Sequence, residues 1–294
     1  MIMKNRKLLL GIWLLPLALI MTEKHNLAAA ESNAELRIAF IAYQNPDQLL
    51  ENVKPVVGYL KHRLGMEIKE YVATDYSSIV EALRNKTADV GFMGPLQYVM
   101  AHRQAGAIPI LGEIYNGKAT YVSQIFVRKD SGLKKLEDLR NKNIAFVDPI
   151  SSSGYMYPLD IFRSKGLTDK SAEKFFNRVY FAGGDEQAIR AVYNGFVDAA
   201  GIGQYSFNLL RSEERDEVVA IGTSRPIPSH CLVARKGLSK KTVEKLQEAF
   251  LNLSNDDENS YLLKYLYSVD GYVKVTHENY LEVEELGKRY DFIR

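Results

Sequence analysis

Apolar positions along this chain fall into two rhythms that take turns. Residues 35–42 (ELRIAFIA) form a short, nearly continuous apolar run, as a buried strand does, and residues 47–64 carry apolar side chains at helical spacing. The same reading predicts strands at 67–73 and 88–92, and helices at 76–85 and 95–103, the last with Pro95 in its first turn, where no N–H is needed. Residues 120–128 predict a longer strand, followed by a stretch at 131–141 with helical character at 136–139. A second alternation follows, with strands at 144–147, 179–182 and 197–201 and helices at 154–164 and 185–193. Repeated strand–helix alternation of this kind predicts an α/β fold in two parts.

Residues 218–223 and 231–235 again predict extended chain. Between them, Pro226 and Pro228 suit a stiff crossover. A chain that enters the second part through 121–129 and leaves through 224–230 joins its lobes by two crossover strands, which make a hinge. The predicted organisation is residues 31–125 plus 226–294 as lobe 1 and residues 126–225 as lobe 2, with the cleft between them as the default ligand site. Beyond residue 238 the pattern is mostly amphipathic helix. The sequence contains neither an internal repeat nor a low-complexity tract.

The first thirty residues differ in kind. Lys4, Arg6 and Lys7 precede an apolar run from residue 8 to 21, too short to span a bilayer comfortably, and Ala28-Ala29-Ala30 supplies small residues for a cut before Glu31. That layout predicts a cleavable signal peptide at 1–30 and a periplasmic mature protein that does not span the membrane. Its removal takes the net charge from +2 to about −1, which argues against a nucleic-acid partner. A single cysteine, Cys231, allows no internal disulfide, and its alternation with His230 points it to the opposite side of an extended segment, as a packed core thiol. With no Cys after the cleavage site, lipid attachment there is not expected. Neither a His/Cys cluster with metal-ligand spacing nor a phosphate loop is present, so no cofactor is expected.

The most informative segment is 148–158 (DPISSSGYMYP), between a predicted strand and a predicted helix. Only the first N–H groups of a helix lack internal acceptors, so Pro158 is tolerated if the helix starts near Gly154 or Tyr155. The free amides and the hydroxyls of Ser151, Ser152 and Ser153 would then converge at one helix N-terminus. All of them donate, and the helix dipole adds positive potential, so an oxyanion fits without a basic side chain. Three or four charge-assisted bonds of roughly 1.5–3 kcal/mol each supply the ~8 kcal/mol of micromolar binding after costs. The plainer alternative is a Ser N-cap on an ordinary helix.

From about Arg37 to Tyr290 the chain resembles the periplasmic phosphate, phosphite and phosphonate-binding proteins of ABC importers, the PhnD type. The resemblance is carried by residues 73–78 (ATDYSS), 91–96 (GFMGPL), 121–127 (YVSQIFV), 148–158 and 194–199 (NGFVDA). It implies a type II periplasmic-binding-protein fold whose serine loop holds the oxyanion, with Tyr76 and Tyr121 lining the cleft. A phenol can donate to an oxyanion while its ring covers a P–H or P–CH3 group. The implied partners are a small oxyanion ligand and an ABC permease with its ATPase; the alternative is a ligand-sensing subunit for a membrane histidine kinase.

Two departures bear on the ligand. Where the family carries a donating His, this chain has Asp185, which either caps the next helix or accepts a hydrogen bond from a protonated P–OH. Where some members use acids to hold an aminoalkyl tail, it has Tyr205 and His230, which disfavours 2-aminoethylphosphonate and favours phosphite, methylphosphonate or phosphate. His230 either donates to the oxyanion or is an exposed hinge residue. Catalysis would need Ser152 as nucleophile, His230 as base and Asp185 or Asp198 as orienter. With no Gly-x-Ser-x-Gly elbow, no enzyme is expected.

Overall fold

A computed structural model describes residues 35–41, 46–73, 75–169 and 172–293. The signal-peptide prediction at 1–30 lies outside the described residues. Two twisted sheets carry the chain. The first runs β13-β4-β12-β3-β1-β2, from β1 (Glu35–Ile41), β2 (Glu67–Ala73), β3 (Val90–Met93), β4 (Ile108–Ile114), β12 (Cys231–Ala234) and β13 (Gly271–Val273). The second runs β10-β6-β9-β7-β8, from β6 (Ser123–Arg128), β7 (Asn143–Phe146), β8 (Arg178–Phe181), β9 (Ala199–Gly203) and β10 (Val218–Thr223).

Both sheets follow one plan. In the first, β1 pairs in parallel with β2 and β3, while β12 is antiparallel to β3 and β4. In the second, β7 is parallel to β8 and β9, while β6 is antiparallel to β9 and β10. Strands covered on both faces must be apolar on both, which is why β1 and β3 read as continuous apolar runs. Leu36, Ile38 and Phe40 of β1 pack on one face against α1 (Pro46–Leu64) and α7 (Lys240–Leu253). Ala39 turns to the other face, towards α2 (Tyr76–Arg84), α3 (Pro95–Ala105) and α8 (Leu281–Arg289). The second sheet is packed between α4 (Tyr157–Ser164) and α5 (Asp185–Tyr193), with the one-turn α6 (Ser212–Arg215) beside β10.

The chain passes between the sheets twice, and the two passages pair with each other. β5 (Thr120–Tyr121) and β11 (Ile227–Pro228) form an antiparallel ribbon with Tyr121 opposite Ile227. Pro228 fits there because a two-stranded ribbon leaves one side of each strand without a ladder partner. The β6 strand pairs wholly within the second sheet, so the chain changes sheets between Tyr121 and Ser123. Among the described residues no helix is long and apolar enough to cross a membrane.

Candidate functional site

The loop after β7 is drawn tight by its own backbone. Ser151 N–H donates to Asp148 O at 3.0 Å and Val147 N–H to Gly154 O at 2.9 Å. That second bond brings the turn so close to β7 that a Cβ on Gly154 would lie 2.4 Å from Val147 Cβ, so only glycine fits. The helix does not begin as a regular α turn. Residues Ser152–Met156 form a π turn, closed by Tyr157 N–H donating to Ser152 O, and α4 starts at Tyr157 with Pro158 in its first turn.

The three hydroxyls expected to converge fan out instead, because successive side chains on a helical turn point in different directions around its axis. Ser151 Oγ caps the turn, accepting from Gly154 N–H at 3.0 Å. Ser152 Oγ accepts from the backbone N–H of Leu96, in the first turn of α3, at 2.8 Å, so it reaches across to the other sheet's helices. Ser153 alone of the three lines a cleft of about 460 Å³ between the sheets. Ser123 fastens the corner by donating to Ser153 O at 2.6 Å.

The cleft is walled from both sides. Tyr76 at the start of α2, Tyr115 and Asn116 after β4, and His230 before β12 come from the first sheet. Ser153, Asp185, Gly203, Tyr205 and Ser206 come from the second, and Tyr121 from the crossover ribbon. Six of the eight residues singled out in the sequence therefore share one cavity; Ser151 and Ser152 stand behind it. Gly203 and Ser206 carry no local sequence signal. A Cβ on Gly203 would sit 3.3 Å from Ser153 Oγ, so glycine keeps that corner open.

Phenols and hydroxyls line much of the cleft, together with the carboxylates of Asp185 and Asp270. The hydroxyl of Tyr121, a residue 5% exposed, lies against the Ser153 hydroxyl but makes no well-formed hydrogen bond within the protein. The Tyr76 hydroxyl lies against Ser151 and Asp185. Among the described lining residues Lys264 is the only lysine or arginine. Asp185 is no side-chain cap: Gly184 is the N-cap of α5, and the Asp185 carboxylate accepts from Ser206 Oγ at 2.6 Å and from the Gly203 N–H. Burial raises its pKa above the ordinary carboxylate value, an effect these bonds oppose. His230 lies with its ring 5.1 Å from that of Tyr121, and burial pushes its pKa down to about 4, so the imidazole is neutral at neutral pH. Tyr205 closes the outer end, its ring 5.0 Å from that of Tyr115 and its hydroxyl accepting from Asn116 Nδ2 at 3.3 Å. Cys231 is fully buried in the core, facing away from the cavity.

Two sheets joined by a paired crossover around such a cleft define the type II periplasmic binding fold. Solved structures share it. PhnD1 from Prochlorococcus marinus, in complex with methylphosphonate, superposes with a TM-score of 0.79 at 22% identity, covering 88% of this chain and 99% of that one. A binding protein component of an ABC phosphonate transporter from Pseudomonas aeruginosa gives 0.80 at 23% identity, covering 88% of each chain. The phosphonates-binding periplasmic protein of Escherichia coli is 28% identical over 247 residues, 81% of this chain and 72% of the relative. The phosphate-import protein PhnD of Mycolicibacterium smegmatis is 26% identical over 246 residues, 80% of this chain and 77% of the relative. Residues 38–280 match the family described as ABC transporter, phosphonate, periplasmic substrate-binding protein, and the chain belongs to that family.

Proposed function

We propose that this protein, in the periplasm, captures a small phosphorus oxyanion in the interlobe cleft and delivers it to an ABC permease with its ATPase. Phosphite, methylphosphonate or another phosphonate, and phosphate are the candidate ligands. The observation that carries the reading is the Tyr121 hydroxyl: buried, lying against the Ser153 hydroxyl without a well-formed hydrogen bond, in a cavity wall that both residues line. A buried hydroxyl left unpaired costs roughly 1–3 kcal/mol, and an anion oxygen removes that cost.

In this reading the tetrahedral anion sits at the π turn, taking hydrogen bonds from the amides at its start, from the Ser153 hydroxyl and from the Tyr121 phenol, with the Tyr76 ring, its hydroxyl bonded to Asp185, lining the site beside it. Ser151 holds the turn, and Ser152 joins it to α3. Asp185 accepts a bond from a P–OH, which favours anions that keep a proton near neutral pH over sulfate. His230, neutral, and Tyr205, without charge, stand where an ammonium tail would need acids. Closing the lobes expels water and strengthens each bond. No hydrolytic step is assigned, in keeping with a family of transport substrate-binding proteins. The relatives named above are transport proteins, and the sensor alternative gains nothing from them.

Isothermal titration with phosphite, methylphosphonate, 2-aminoethylphosphonate, phosphate and sulfate tests the proposal. A saturable heat with at least one of the phosphorus anions and a weaker one with sulfate is expected. Silence with all of them would remove the proposed ligand class.

A further inference from the structure

Beneath the cleft floor lies a carboxylate that the proposed contacts do not use. Glu113 on β4 is fully buried. The Tyr115 hydroxyl donates to its Oε2 at 2.5 Å, while Oε1 has no partner. His230 stands between Glu113 and the cavity, with Nδ1 3.9 Å from Oε2, and the Glu113 N–H donates to His230 O at 2.9 Å. The two residues are thus fixed against each other by backbone, at a separation where a charged imidazole forms an ion pair but a neutral one makes no hydrogen bond.

Resting on the phosphorus-oxyanion reading, we infer that Glu113 supplies the cleft's counter-charge through His230. Capture of the anion places one proton in the Glu113–His230 pair, leaving imidazolium towards the ligand and carboxylate behind it. Glu113 is a positioning residue in this scheme, since it touches the ring and not the ligand. The proton comes from solvent when the pair is empty and from Glu113 when that group already holds it.

Among the described residues lining the cavity Lys264 is the only other cation, with Asp270 also in the wall. Glu113 meets Tyr115, just after its own strand, and pairs with Tyr272 on β13, while Tyr267 from the preceding loop, Cys231 on β12, Tyr280 from the turn before α8 and Tyr121 of the ribbon lie within electrostatic reach. His230 faces Tyr121 and Glu113, with Asp185 on the opposite wall of the cavity. None of these neighbours of the pair is a lysine or arginine. Burial pushes the Glu113 carboxyl up to about 7 and the His230 imidazole down to about 4, so neither charge is comfortable alone. An anion in the cleft favours the proton on His230, and His230 cationic favours Glu113 ionised.

The test is isothermal titration of the purified protein with methylphosphonate at pH 8, in two phosphate-free buffers of different ionisation enthalpy. Wild type should take up a proton approaching one per anion, and E113Q should lose at least half of that uptake. Above pH 7, affinity should fall more steeply with pH in wild type than in E113Q, by up to about tenfold per pH unit for one proton. Equal uptake in the two proteins overturns the inference and leaves the ligand assignment standing. No binding of methylphosphonate, phosphite or phosphate by wild type overturns both. If E113Q does not fold, Y115F carries the test: losing the donated bond raises the Glu113 pKa, so the midpoint of the affinity profile should move to higher pH. An unmoved midpoint rejects the assignment.

Discussion

The hydroxyl oxygen of Ser152 accepts the backbone N–H of Leu96 at 2.8 Å, tying the π turn of one lobe to the first turn of α3 in the other. The bond satisfies one of the amides that a helix start leaves without an internal acceptor, and it does so across the cleft. Ser152→Ala would leave that buried amide unpaired whenever the lobes are together, at a cost of roughly 1–3 kcal/mol. Ligand affinity should fall about tenfold, mostly through faster release. Stopped-flow dissociation rates check this, and an unchanged off-rate would reduce Ser152 to a bystander.

Tyr121→Phe should act with opposite signs on two measurements. The hydroxyl makes no well-formed bond in the protein beyond its contact with Ser153, so thermal stability without ligand should hold or rise by up to about 1 kcal/mol. Affinity for the anion should fall roughly tenfold. A loss of stability together with unaltered affinity would show that the phenol serves the fold.

Asp185→Asn exchanges an acceptor for a group that can also donate. Wild type should prefer phosphite over sulfate, and the variant should narrow that ratio by about tenfold, the worth of one hydrogen bond to a charged group. Competition titrations give the ratio directly. If sulfate gains nothing, Asp185 is confined to holding Ser206 and Gly203.

Glu113 also sets a pH dependence of folding. Its pKa is raised from the ordinary 4.5 to about 7 by burial, so the folded state binds the proton more tightly than the unfolded one. Its contribution to stability is therefore fully present below pH 4.5 and is lost as pH rises through 7. At about 1.4 kcal/mol per unit, the stability of E113Q relative to wild type should climb by about 3 kcal/mol between those limits. Denaturant titrations at pH 4.5, 6 and 8 measure it, and a constant difference would contradict the burial argument.

Much of the architecture was legible from local pattern, because strands buried on both faces and amphipathic helices carry their environment in their periodicity. The helix predicted at 185–193 and the strand at 218–223 match α5 and β10 residue for residue. The strand β4 was not legible: Pro109 and Gly112 break its pattern, and it exists because β12 and β13 pair with it on either side. Likewise β13, read as part of a helical tail, is held by β4 and by packing of Tyr272.

The site divides the same way. Sequence alone determined that a serine turn precedes a helix starting near Gly154, and, through the family resemblance, that two tyrosines accompany it; that only glycine fits at 154 is set by the approach of Val147. Tertiary structure decided which of the three hydroxyls enters the cavity, that Asp185 turns to Ser206 and Gly203, and that Glu113 lies behind His230. The reason is physical: a turn or a helix start is built from neighbours in the chain, whereas the direction of a hydroxyl and the pairing of a buried charge depend on atoms that only folding brings near.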